Sequence, residues 1–163
     1  MTATPQVTGV KEALKTLRQL DPDMRQQFNN DAKQIVQPAV NAAQNRYQSV
    51  NLPSGLERRW RPNNRIIFPA TRSRMGNRVK LKIDTRQKAN SVIKIVNTDA
   101  GATIIEWAGV KTSNPLAFAL QRKTSTAPPR IMWPAVDRYL PDIRNNLEQS
   151  LEIVEKELNR KLD

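Results

Sequence analysis

The sequence predicts an α+β protein in which a small, mostly antiparallel sheet of three to four strands is packed by a long kinked N-terminal helix and a long C-terminal helix. Two patterns support this prediction: apolar residues recur every three or four positions near both ends, and the middle holds short β-branched or alternating stretches. The length of 163 residues suits one domain. We expect a single domain over 1–163, helical at 1–50, a basic sheet region at 54–107, a loop and linker at 108–133, and the C-terminal helix at 134–163.

The first 50 residues predict two helices. Thr8 can cap a short helix over the next ten residues. Asp21 followed by Pro22 marks the start of the second helix, because aspartate suits the N-cap and proline suits the first helical position. Pro38 falls inside the apolar stripe of this helix and predicts a kink rather than an end, since the stripe resumes beyond it. The stripe comprises Met24, Phe28, Ala32, Ile35, Ala39, Ala43 and Tyr47.

Four stretches in the middle of the chain predict strands, at 65–68, 78–84, 91–96 and 102–107. The second alternates: Val79, Leu81 and Ile83 share one face, and cationic residues occupy the other. Residues 51–64 and 71–77 contain glycine, proline and polar residues, which predicts loops. Residues 116–120 are apolar and fit either a short helix or a strand.

The C-terminal helix is predicted to open at Trp133-Pro134, and Pro141 allows a break or a kink after its first turn. Its apolar stripe continues almost to the end of the chain, through Val136, Leu140, Ile143, Leu147, Leu151, Val154, Leu158 and Leu162. A small sheet has little surface to cover so long a stripe. We therefore expect packing between subunits at Leu147, Leu151, Val154 and Leu158. Packing on the chain's own sheet and second helix is the alternative, and the two are compatible.

Composition excludes several classes of site. The chain has no cysteine and no histidine, which rules out disulfides, thiolate metal sites, cysteine nucleophiles and histidine-based catalysis. We expect no cofactor. Only 38% of residues are hydrophobic, which is low for an isolated globule and favours burial against other chains. The sequence shows neither a membrane span nor a signal peptide, so we expect no membrane partner and synthesis in the cytoplasm of the producing cell.

Positive charge is concentrated in one quarter of the chain. The net charge is +12, and residues 54–94 hold 12 lysines and arginines against 2 acidic residues. This block indicates contact with an acidic protein ring or with DNA, and the alternative is a solvated outer sheet face. The residues predicted to make the contact are Arg58, Arg59, Arg61, Arg72, Arg74, Arg78, Lys80 and Lys82.

Glu106 is the carboxylate that stands out, because it lies in an apolar stretch beside Trp107, where burial would raise its pKa. An isolated carboxylate, without a second acid, a metal-binding cluster or a phosphate-binding loop, does not make an active site. We therefore expect a structural or interface role for Glu106 and no enzymatic activity.

Several features occur in an order typical of one family: a long helix with the interior Pro38, a stretch ending Glu106-Trp107-Ala108-Gly109, and Trp133-Pro134 opening a charged C-terminal helix. In this the chain resembles the tail-completion, or head–tail joining, family of neck and minor tail proteins in long-tailed double-stranded DNA phages.

The resemblance implies a structural virion protein, located in the neck or tail and made in the host bacterial cytoplasm. Such proteins form a ring, commonly a hexamer, that completes the head–tail connector and joins the tail to the DNA-filled head. The implied partners are the head-connector protein and the tail-tube or tail-terminator protein, with packaged DNA as a further contact. The alternative is a basic DNA-binding accessory protein that uses the cationic block at 54–94.

Overall fold

The computed structural model of the 163-residue chain describes residues 2–3, 21–53, 71–83, 93–108, 115–124 and 128–162. Helices dominate these residues, and a small antiparallel sheet accompanies them. The elements in chain order are β1 (Thr2–Ala3), α1 (Pro22–Ser49), α2 (Arg72–Asn77), β2 (Val79–Ile83), β3 (Ile93–Asn97), α3 (Ala100–Trp107), α4 (Pro115–Thr124), α5 (Met132–Asp137) and α6 (Leu140–Leu162).

Helix α1 begins as the sequence predicts. The Asp21 carboxylate accepts hydrogen bonds from the backbone N–H groups of Asp23 and Met24, and Pro22 opens the first turn. Pro38 lies inside the helix, which continues to Ser49. The stripe from Met24 to Tyr47 is buried apart from the half-buried Ile35, so α1 carries much of the hydrophobic core.

The sheet is smaller than predicted. Strands β2 and β3 pair antiparallel over five residues each, from Val79 opposite Asn97 to Ile83 opposite Ile93. The two-residue strand β1 pairs antiparallel with the other edge of β3, which gives the order β1-β3-β2. A small antiparallel sheet in a chain with long N- and C-terminal helices is confirmed. The count of three to four strands is not, because β1 has only two residues. Helix α1 packs against β2, whereas the C-terminal helix packs against α1 and α5. Of the predicted strands, 65–68 lies outside the described residues, as does the predicted helix after Thr8.

The strand predicted at 102–107 is wrong, since these residues belong to α3. The Asp99 side chain accepts a hydrogen bond from the Ala102 N–H and caps the helix. Ala102, Ile105 and Glu106 are buried at helical spacing, so packing on one helix face outweighs the β preference of Ile104 and Ile105.

The loop predicted at 71–77 is also wrong, because Arg72–Asn77 form α2, capped by the Thr71 hydroxyl. This short helix packs on α1 through the buried Met75 and Gly76. A Cβ at Gly76 would lie 3.1 Å from the backbone oxygen of Gln44, so glycine permits the close approach. Residues 115–124, inside the predicted linker, form α4.

The C-terminal part is two helices, and the break after the first turn is confirmed: α5 ends at Asp137 and α6 begins at Leu140, with Pro141 in its first turn. Leu147, Leu151 and Val154 are buried in the core, and Leu158 packs against it partly buried. These four side chains therefore pack within the chain, where the C-terminal helix contacts α1 and α5, and packing between subunits stays a prediction. No helix in the described residues is long and apolar enough to cross a membrane.

Candidate interaction surface

The outer face of the sheet carries a compact group of cations. Lys80 and Lys82 of β2 are exposed, while Val79, Leu81 and Ile83 alternate toward the core. The half-buried Lys94 of β3 lies directly opposite Lys82 in the register. We call Lys80, Lys82 and Lys94 the basic sheet face. Lysines two residues apart on a strand stand roughly 7 Å from one another, so this face holds three positive charges within a small area.

Arg78 adjoins this face without belonging to the strand. Its backbone is in the right-handed helical region and ends α2, and its side chain is exposed. The predicted row of Arg78, Lys80 and Lys82 is thus two strand residues preceded by a turn residue. Arg72 is half-buried in α2. Arg58, Arg59 and Arg61 lie outside the described residues.

Arg74 serves a contact inside the chain. Its Nε lies 2.9 Å from Oδ2 of the buried Asp99, which also caps α3. The side chain of Asn97, at the end of β3, makes two hydrogen bonds: its Oδ1 accepts from the Asp99 N–H, and its Nδ2 donates to the backbone oxygen of Met75. These contacts tie α2, β3 and α3 together, so Arg74 helps to fix the scaffold beneath the basic sheet face.

Glu106 organises the junction between α3 and α5. Its buried carboxylate accepts hydrogen bonds from three consecutive backbone N–H groups. The Ile131 N–H donates to Oε2 at 2.9 Å, and the Trp133 N–H donates to Oε1 at 3.2 Å. The Met132 N–H lies between them, 3.1 Å from Oε1 and 3.2 Å from Oε2. The first four N–H groups of a helix have no partner within it. Ile131 offers no side-chain cap, and Pro134 has no N–H, so one distant carboxylate satisfies every donor at the start of α5.

Arg130 completes the junction from the opposite side. This arginine is 1% exposed, and its Nη1 donates to the backbone oxygens of Ile105 at 3.1 Å and Glu106 at 3.3 Å, at the end of α3. The Tyr47 hydroxyl of α1 donates to Glu106 Oε2 at 3.5 Å. We call Glu106, Arg130, Tyr47 and the N–H groups of residues 131–133 the Glu106 cluster. The Glu106 cluster joins the end of α3 to the start of α5, and joins both to α1.

Burial raises the pKa of Glu106 above its usual range, while the three backbone N–H groups and the Tyr47 hydroxyl oppose the rise. Burial also raises the pKa of Tyr47, and the negative charge of Glu106 adds to that effect. The predicted rise at Glu106 is confirmed. The carboxylate is fully engaged by donors from the protein, which is the arrangement of a structural group.

Only some of the residues that carry the family resemblance lie at the junction between α3 and α5. Glu106 and Trp133 meet directly, and Pro134 completes the capping arrangement. Trp107 is 42% exposed, Pro38 lies within α1, and Gly109 is outside the described residues. Sequence reasoning missed Tyr47, Arg130 and Lys94 as members of these groups. An arginine directly before the apolar Ile131-Met132 pair was the available signal for a buried cation.

A surface groove runs between α1 and β2, with a volume of about 430 Å³. Its lining includes Lys33, Gln37 and Val40 from α1 together with Leu81 and Ile83 from β2. No group of acidic, histidine or cysteine side chains in the described parts of the chain could hold a metal ion.

Comparison with known proteins adds no relative: no protein-family model, no curated protein and no solved structure matches this chain.

Proposed function

We propose that this protein is a structural virion protein that forms a ring in the phage neck, completes the head–tail connector and joins the tail to the DNA-filled head. The observation that carries the proposal is the basic sheet face, where Lys80, Lys82 and Lys94 share one side of a rigid antiparallel pair. Clustered cations on a fixed scaffold suit a large acidic surface better than a small substrate.

The Glu106 cluster supports the same proposal. A joining protein must hold its interaction surfaces in fixed relative positions, and this cluster locks α3 and α5 onto α1 through buried hydrogen bonds. It also gives Glu106, Trp133 and Pro134, residues that carry the resemblance to the head–tail joining family, a shared structural role. The protein would then act as a scaffold rather than as an enzyme.

An acidic neighbouring protein ring is the favoured partner of the basic sheet face. A phage neck must let DNA slide through it, and a dense cluster of cations gripping phosphates would slow that passage. An acidic protein surface meets the same cations without hindering DNA. The alternative, a DNA contact, stays open as an outcome of the experiment.

Charge reversal at Arg78, Lys80 and Lys82, each changed to glutamate, tests the proposal. All three side chains are exposed, so the fold should survive, with each change costing about 0.5 kcal/mol or less. A contact with an acidic ring should fail, because like charges facing each other across an interface cost several kcal/mol. Electron microscopy of lysates should then show free heads and free tails in place of complete particles.

The matched control reverses three exposed cations on α6, Arg144, Lys156 and Arg160, which changes the net charge by the same amount. The control should yield complete particles. If the face lines a DNA channel, heads and tails will join while DNA retention becomes defective and salt-dependent. Normal yields of infectious particles from the charge-reversed protein would refute both readings.

A further inference from the structure

Strand β2 lies at an edge of the sheet. The order β1-β3-β2 leaves β3 in the centre, and no further strand lies beyond β2 in the described residues. An edge strand carries a row of backbone N–H and C=O groups that can pair with an added strand. The groove between α1 and β2 runs along this same edge.

Two hydrogen bonds identify which backbone groups face outward. The Thr98 N–H donates to the backbone oxygen of Arg78, so the backbone hydrogen bond of Arg78 points toward the β3 side. Because the direction alternates along an antiparallel strand, the backbone groups of Lys80 and Lys82 also point toward β3. The oxygen of Val79 instead accepts from the Gln44 side chain of α1, on the far side from β3. The backbone groups of Leu81 and Ile83 therefore face outward along the groove.

Side chains on β2 define what an added strand would meet. On the inner side Leu81 and Ile83 are partly buried beside Val40, so this part of the groove is apolar, while Lys33, Gln37 and Gln44 of α1 also line the groove. On the outer side stand Lys80 and Lys82 of the basic sheet face. In an antiparallel pair, residues directly opposite share a face. An added strand would thus place one set of residues on apolar groups and the alternate set beside lysines.

We propose that the β2 edge binds an extended segment of a partner protein in which apolar and acidic residues alternate, by antiparallel strand addition. The apolar residues lie opposite Leu81 and Ile83 and exchange backbone hydrogen bonds with them. The acidic residues lie opposite Lys80 and Lys82. The inference rests on the proposed function, because it specifies how an acidic neighbour would engage the basic sheet face.

A second copy of this chain fits the edge poorly. The outer face already holds Lys82 opposite Lys94, and pairing β2 with another β2 would add further lysines beside them, each such like-charge pair being destabilising. Strand β3 also carries a lysine, and it is already paired on both sides. Charge complementarity therefore selects a different, acidic chain.

Three synthetic peptides with alternating valine and glutamate test the proposal on the full-length protein. The first is unmodified, the second carries N-methyl groups on the valines, and the third carries them on the glutamates. Valines opposite Leu81 and Ile83 use their N–H groups to pair with β2, whereas the glutamate N–H groups point away from it. The valine-methylated peptide should bind about tenfold or more weakly than the unmodified one. The glutamate-methylated peptide should bind within about threefold of it.

Backbone amide NMR with titration of each peptide measures both affinity and location. The unmodified peptide should slow hydrogen exchange at Leu81 and Ile83, and the double change Lys80→Glu, Lys82→Glu should abolish its binding. Equal binding of all three peptides would overturn strand addition, yet leave a purely electrostatic acidic contact and the proposed function intact. Absence of binding by the unmodified peptide would overturn the inference, while the particle counts for the charge-reversed protein still decide the proposed function independently.

Discussion

Replacing Glu106 by glutamine removes one carboxylate oxygen from the Glu106 cluster and changes little else in shape. Oε1 accepts from Met132 and Trp133, and Oε2 accepts from Ile131 and Met132. If the amide NH2 takes the place of Oε1, the Trp133 N–H loses its acceptor. If it takes the place of Oε2, the Ile131 N–H loses its acceptor. Either orientation leaves one helix N–H facing another donor.

The expected loss of stability follows from the one backbone N–H group that loses its acceptor. A buried donor left without a partner costs about 1–3 kcal/mol. In acid, both oxygens of the protonated Glu106 still have lone pairs for the N–H groups, whereas glutamine offers one such oxygen, so we expect Glu106→Gln to lower the free energy of unfolding by about 1–2 kcal/mol. Where Glu106 is ionised, relief of the buried charge offsets part of this cost. Glu106→Ala removes both oxygens and opens a cavity, so its cost should be larger, about 3–5 kcal/mol.

The pH dependence has a definite sign. Because burial raises the pKa of Glu106 in the folded protein above its ordinary value of 4.5, the folded state holds this proton more tightly than the unfolded state. The contribution of Glu106 to stability is therefore fully present below its unfolded pKa and is lost as pH rises through the folded pKa. Glutamine does not titrate, so the cost of Glu106→Gln should be largest in acid and should shrink as pH rises.

Urea unfolding followed by far-ultraviolet circular dichroism, at a series of pH values, measures both effects. Glu148→Gln, at an exposed position on α6, is the control and should stay within about 0.5 kcal/mol of the parent protein. A cost for Glu106→Gln that grows with pH would show that the backbone donors outweigh burial. A cost for Glu106→Ala no larger than that of the control would refute the structural role of the cluster.

Other positions give further predictions. Arg130→Met leaves the carbonyls of Ile105 and Glu106 without their buried donor and should cost about 2 kcal/mol in urea unfolding; a change below about 0.5 kcal/mol would contradict this. Gly76→Ala should destabilise the protein by about 1 kcal/mol despite the better helix propensity of alanine, because the Gln44 backbone oxygen is held in α1 and cannot move away from the added Cβ. A more stable variant would show that α1 and α2 separate easily. Asp99→Ala should cost about 2 kcal/mol because it removes the cap of α3. Asp99→Asn keeps an oxygen for the cap and loses mainly the half-exposed pairing with Arg74, so it should cost less than about 1 kcal/mol. Equal costs for the two variants would contradict the capping role.

The long helices could be predicted from the sequence because their signals are local. Asp21 and Pro22 set the start of α1, and a 3.6-residue apolar period sets its buried face. The same holds for the alternation of Val79, Leu81 and Ile83 along β2. Each of these patterns reflects burial against a continuous core, which leaves its period in the sequence.

The junction between α3 and α5 could not be predicted in the same way. Thr103, Ile104 and Ile105 favour a strand locally, and the helix forms because Asp99 caps it and its Ala102, Ile105 and Glu106 face is buried. The backbone partners of Glu106 lie 25–27 residues away and Tyr47 lies 59 residues away, beyond the reach of any local pattern. The basic sheet face was predicted only in part, because the contribution of Lys94 depends on the register between two strands.

Counting and locating the protein in purified virions tests the central claim most directly. Quantitative mass spectrometry of particles assembled from a phage genome that carries this sequence gives the copy number, and gold-labelled antibody viewed by electron microscopy gives the position. A neck protein that closes into a ring predicts a fixed multiple of copies per particle, six for the common hexamer, with label confined to the junction between head and tail. A single copy per particle, or no protein in complete virions, would contradict the account.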